Sequence, residues 1–100
     1  MDYITRLERN NIETKKIKLA KNLIGKRIKL LRKELHLTQK DIANLLHTTQ
    51  STISAYESGE TLIIIAFAYQ ICKAYNVSLD WLCCRSSIMY LSSHKEEVNN

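Results

Sequence analysis

The stretch from Leu37 to Glu57 constrains the fold most tightly, because it specifies two short helices with almost no chain between them. Thr38 is followed three residues later by Asp41, the spacing of a capping box with Asp in place of the usual Glu. Ile42, Leu45 and Leu46 then give the buried side of one helix. Thr49 reads as the N-cap of the next, with Ile53 and Tyr56 turned inward and Gly59 ending it as the residue beyond the last turn.

The rest of the chain supplies further helices. Ile17, Ala20, Ile24, Ile28, Leu31 and Leu35 recur at three- and four-residue steps, one face of a first helix ending near His36. Leu62–Tyr75 reads as a strongly apolar fourth helix stopped at Asn76, and Leu79–Leu82 as a short fifth. Pro is absent and Gly occurs only at Gly25 and Gly59, which disfavours a turn-rich β sandwich. One hundred residues, 45% of them hydrophobic, suffice for one all-α domain and not for two. The expected organisation is a basic N-terminal extension over 1–18, a domain over 19–84 and a flexible Ser- and charge-rich tail over 85–100. The extension reads as either helical or without fixed structure, since Asn10-Asn11 weakens a continuous helix. Ile88-Met89-Tyr90-Leu91 is a small apolar island in the tail.

The formal charge of +5 is unevenly spread. Residues 1–40 carry 12 Lys/Arg against 4 Asp/Glu, and residues 41–100 carry 3 against 6. A basic half favours polyanions, chiefly nucleic acid, through neutralised phosphates and released counterions. Cys72, Cys83 and Cys84 have no metal-ligand spacing and read as reduced thiols of a cytoplasmic protein, with Cys72 in the core. No metal or cofactor is expected. His36, His47 and His94 are scattered and no phosphate-cradling Gly loop exists, so no enzyme constellation stands out. The longest apolar run, Leu62–Ala68, is far too short to span a membrane.

Two capped helices around a tight turn have the shape of a helix-turn-helix, whose second helix enters the DNA major groove. Such a helix needs a first turn free of bulk and rich in hydrogen-bonding side chains. Gln50 is placed to pair bidentately with adenine N6 and N7, Ser51 and Ser54 to reach base edges, and Ala55 to pack on a thymine methyl. Gln39, at the free N–H groups opening the preceding helix, suits a phosphate.

From about Ile24 to Leu82 the chain resembles the Cro/repressor-type helix-turn-helix family, also called the XRE family. The matching residues are Ile24-Gly25-Lys26-Arg27-Ile28, Leu31-Arg32, Leu37-Thr38-Gln39, Ile42-Ala43, Gln50-Ser51-Thr52-Ile53-Ser54, Tyr56-Glu57-Ser58-Gly59 and Val77-Ser78-Leu79-Asp80-Trp81-Leu82. The resemblance implies a five-helix, lambda-repressor-like domain that binds a near-palindromic operator on double-stranded DNA as a homodimer. By position it puts Gln50, Ser51 and Ala55 at bases with Ser54 helping, and Gln39 and Ser58 at phosphates. Lys40, Thr49, Thr52, Lys26 and Arg27 complete the expected phosphate contacts. Arg32 and Glu57 match an internal salt bridge, and Trp81, Leu82 and Cys83 lie where family members often pair.

Two departures modify these expectations. His47 stands where the family usually has Gly, so a left-handed turn there carries strain. The loop Glu60-Thr61-Leu62-Ile63-Ile64 has no positive charge, which removes a usual phosphate clamp; Lys26, Arg27, Lys29, Lys33 and Lys40 are candidates to replace part of it, with Lys15, Lys16, Lys18 and Lys21 contributing as a flexible arm. In Leu62-Ile63-Ile64-Ile65, either two residues turn inward and two stay exposed, or the run is a partner surface. The leading expectation is a transcriptional repressor. The alternative is an antitoxin or accessory module that meets a protein partner through Leu62, Ile63, Ile64 or the tail.

Overall fold

The computed structural model describes residues 3–91, with side chains from residue 11 onward. The tail beyond residue 91 and the side chains of Tyr3, Ile4 and Leu7 lie outside the described residues. Five helices follow one another: α1 (Tyr3–Glu34), α2 (Gln39–Leu46), α3 (Gln50–Ser58), α4 (Ile65–Tyr75) and α5 (Leu79–Leu82). α1 runs unbroken through Asn10-Asn11 for 32 residues, roughly 48 Å at the usual rise. Each Asn costs at most about 0.7 kcal/mol of helix propensity, and neither Pro nor Gly stands nearby to break the ladder.

The core gathers one face from every helix. Ile28 and Leu31 of α1 meet Ile42, Ala43 and Leu46 of α2, Ile53 and Tyr56 of α3, and Ala68, Ile71 and Cys72 of α4. Val77, Trp81 and Leu82 close the bottom. Gly25 marks the closest approach of α1 and α3: a Cβ there would lie 2.8 Å from the Glu57 carbonyl oxygen and nearer still to that of Tyr56.

Each of the five helices is followed within two residues by a left-handed residue, yet only Gly59 among these is a glycine. His36, His47, Asn76 and Cys84 hold φ between 55° and 66° at the other four ends. In each case the following amide reaches back five residues, as in Leu37 to Arg32 (2.9 Å), Thr48 to Ala43 (2.9 Å) and Val77 to Cys72 (2.9 Å). That satisfies carbonyls the helix leaves open. The sequence carries the strain of these turns in side chains because it has so few glycines.

Two boundaries differ from the sequence pattern. α4 begins at Ile65, not Leu62, because no side chain caps it and Ile64 takes the extended cap position. Ile63 packs against the core from this extended segment, while Leu62, Ile64 and Ile65 are exposed. Residues 85–91 fold back on the domain. The Ser78 amide donates to the Met89 carbonyl (2.8 Å), Leu91 to Asn76 (3.0 Å), and Val77 bridges Tyr90. Met89 of the apolar island anchors this return by packing on the core.

Candidate nucleic-acid interface

The α2–α3 pair is built from its caps outward. The Thr38 hydroxyl accepts from the Asp41 amide (3.0 Å) while the Thr38 amide donates to the Asp41 carboxylate (2.8 Å). That backbone bond, and then the hydroxyl, hold the Asp41 carboxyl below its ordinary value. At α3 the Thr49 hydroxyl accepts from the Thr52 amide (3.2 Å). Between them His47 sits at φ 55°, ψ 44°, in the left-handed turn that swings α3 across α2.

Behind the two helices lies a relay of four side chains. Arg32 of α1 grips Glu57 of α3 with two parallel bonds, Nε to Oε2 at 2.6 Å and Nη2 to Oε1 at 3.0 Å. The side chains of this pair are only 12% and 5% exposed, so water screens it little. The bond to Glu57 raises the Arg32 guanidinium above its ordinary value, against the opposing effect of burial. Arg32 also donates to the Leu37 carbonyl (3.0 Å), which ties the α1–α2 connection to the same point. Glu57 Oε1 then accepts from Gln39 Nε2 (3.1 Å), and Gln39 Oε1 accepts from Gln50 Nε2 (3.3 Å). A carboxylate can only accept, so it fixes the Gln39 amide with its nitrogen inward and its oxygen toward Gln50. The Gln50 amide keeps its own oxygen and one N–H free, which is the donor–acceptor pair adenine requires.

Gln50, Ser51 and Ser54 are exposed and Ala55 is half-buried. With Gln39 and Glu60 they line one open polar recess of about 340 Å³. Lys40 and Thr49 flank it as exposed residues and Thr52 as a half-buried one. The Ser58 hydroxyl donates to the Ala55 carbonyl (3.1 Å) and accepts from the Glu60 amide (3.3 Å), closing the end of α3.

Four residues take places other than those expected of them. Arg27 is corrected from a phosphate contact to a structural brace: its Nη1 donates to the carbonyls of Trp81 (2.7 Å) and Ser86 (3.0 Å), and its guanidinium lies 4.7 Å from the Trp81 ring centre. Lys26 is exposed but points roughly 100° around α1 from Gly25 and Arg32, the residues that meet α3. Trp81 and Leu82 are corrected from a dimer surface to core, being 4% and 0% exposed. α5 has only four residues and must bury both to hold its place. Cys83, the third expected pairing residue, is exposed.

Besides Lys40, the basic residues that approach are Lys18 and Lys21, which line a recess with Thr14, Ile17, Gly59 and Glu60. They stand on rigid helix beside the very loop that lacks positive charge. Their place follows from α1 continuing straight past its core-packed half, a continuity that Asn10-Asn11 obscured in the sequence. Among the described residues no group of His, Cys, Asp and Glu is arranged to hold a metal, and no helix is long and apolar enough to cross a membrane.

Comparison with known proteins agrees with this geometry. Residues 25–84 match the model of a helix-turn-helix domain family, sixty of the hundred residues. The antitoxin PezA of Streptococcus pneumoniae serotype 4 (strain ATCC BAA-334 / TIGR4) is 38% identical over 56 residues, covering 56% of this chain and 35% of that protein. The chain thus spans about a third of the length of this relative. No solved structure gives a significant match. A capped helix pair around a left-handed turn, braced from α1 and matched over most of the chain by the family model, makes this protein a member of the helix-turn-helix DNA-binding family of the Cro/repressor type.

Proposed function

We propose that the chain is a sequence-specific transcriptional regulator that reads DNA through the first turns of α3 and acts as a repressor by occluding a promoter. The observation that carries this reading is the relay from Arg32 through Glu57 and Gln39, which presents the Gln50 amide already oriented for adenine. Ser51 and Ser54 contact neighbouring base edges and Ala55 packs on a thymine methyl. Gln39, Lys40, Thr49, Thr52 and Ser58 meet the flanking phosphates, and Lys18 and Lys21 supply the charge missing from the Glu60–Ile64 loop. Two copies occupy the halves of a near-palindromic operator.

Selection of bound oligonucleotides from a random pool tests this and reports half-site spacing. Gln50→Ala should relax preference at one adenine position by about tenfold to a hundredfold. Lys21→Ala should weaken all sequences alike and reduce the salt slope by about one. A chain that retards no DNA at about 50 mM salt, where phosphate contacts are strong, defeats the proposal. So does unchanged selectivity after Gln50→Ala with Ser51→Ala.

The similarity to an antitoxin favours a second reading, in which the domain also serves a protein complex. Leu62 and Ile64, exposed before α4, are the residues available to it, whereas Ile63 is committed to the core. Stable co-purification with a native protein partner, lost on Leu62→Asp with Ile64→Asp, would support that role.

A further inference from the structure

α1 carries two apolar faces, and only one is used by the core. Ile12, Leu19, Leu23 and Leu30 are 53%, 57%, 41% and 54% exposed, all on the outside. At 100° per residue they fall within roughly a 40° arc, turned about 150° from Gly25 and Arg32, which meet α3. Their spacing of seven, four and seven residues is that of a helix–helix seam, with Lys16 and Lys26 at the two intervening seam positions. Exposed apolar residues in so narrow a line mark association.

The seam is symmetric about Lys21. Ile12 and Leu30 lie nine residues to either side, Lys16 and Lys26 five, and Leu19 and Leu23 two. A two-fold interface has to be complementary to itself, and an antiparallel pair of α1 helices centred here would be. Leu19 would face Leu23 of the second copy, and Ile12 would face Leu30. Beside the centre, Lys16, Leu19, Ala20, Leu23, Ile24, Cys83 and Cys84 enclose an apolar recess of about 210 Å³, open to receive one such leucine. The geometry points to a second copy of this chain as the occupant: the protein pairs through the outer face of α1 in antiparallel register, leaving α3 free. This supplies the two-fold symmetry of the DNA reading above without resting on any base contact.

Charge opposes the pairing and gives it a signature. Residues 11–34 hold nine Lys/Arg against Glu13 and Glu34, and each Lys16 would meet Lys26 of the other copy. Lysine stems can still cover the seam while their ammonium groups turn to water. Self-association must therefore strengthen as salt rises, opposite to DNA binding.

Sedimentation equilibrium of the full chain without DNA tests this, so failure here is distinct from failure of DNA binding. Up to about 0.1 mM protein the mass should climb from 11.6 kDa toward twice that value, and more readily at about 0.5 M salt than at 0.1 M. Leu19→Glu with Leu23→Glu should stay monomeric with unchanged helix content by circular dichroism. Lys16→Glu should tighten pairing about tenfold, since it turns both Lys–Lys layers into Glu–Lys, and adding Lys26→Glu should undo the gain. A chain monomeric under all these conditions overturns the proposal and leaves the face to a partner of different sequence. A dimer indifferent to the Leu19 and Leu23 changes overturns the surface, and one that Lys16→Glu does not tighten overturns the register.

Discussion

Replacing Arg32 or Glu57 by Met separates the energetic role of the buried pair from its role in recognition. Arg32→Met leaves the Glu57 carboxylate almost wholly buried with only the Gln39 amide beside it. Glu57→Met leaves the Arg32 guanidinium with only the Leu37 carbonyl. Removing one partner of a buried pair typically costs about 3–5 kcal/mol, because the remaining charge is uncompensated. The low end applies here, since each survivor keeps one hydrogen bond. A chain of this size has roughly 5–15 kcal/mol of stability to lose. With a urea slope of about 1 kcal/mol per M, each single change should lower the unfolding midpoint by roughly 3 M. The double replacement removes both charges and should cost only about 1 kcal/mol, far less than the two singles together. Urea unfolding followed by circular dichroism measures all three. Single variants within about 0.5 M of the parent, or a double variant whose loss equals the sum, would refute the brace. Under the DNA reading, the double variant should fold yet lose preference between operator and random DNA, because nothing then fixes the Gln39 and Gln50 amides.

Four further tests address the scaffold. Gly25→Ala pushes a methyl into the Tyr56 and Glu57 carbonyls and should cost about 2 kcal/mol in denaturant unfolding; a change under ~0.5 kcal/mol would mean α1 and α3 are less closely seated than described. His47→Gly relieves a left-handed side chain and should raise stability by up to ~1 kcal/mol, visible as a higher Tm without altered helix content. The Cys72 thiol is pushed up to about 11 by burial, aided by Cys83. Unfolded Cys72 ionises near its ordinary value while the folded form holds its proton, so this residue's contribution to stability is present below about pH 9. It is lost as pH rises toward 11, and Cys72→Ala should flatten that alkaline fall. Mass spectrometry after brief alkylation should find Cys83 labelled and Cys72 protected until the chain unfolds.

The sequence by itself determined the parts of this protein that depend on neighbours three or four residues apart. Thr38 and Thr49 cap the helices that local spacing assigned to them, and the apolar steps through Ile28, Ile42 and Ile53 mark the buried faces. These are local because a cap or a helix face is complete within one or two turns. Tertiary structure alone decided which polar and apolar groups remain free. Arg27 read as one cation among many until Trp81 and Ser86, more than fifty residues on, took up its guanidinium. Trp81 and Leu82 read as a pairing surface until α4 and α1 enclosed them. The start of α4 depended on Ile63 finding the core from an extended strand of chain. Gln39 and Gln50 were legible as recognition candidates, but their joint orientation needs a carboxylate held by a third helix. A residue's exposure and hydrogen-bond partners belong to the assembled packing, and in this chain the decisive partners come from other helices.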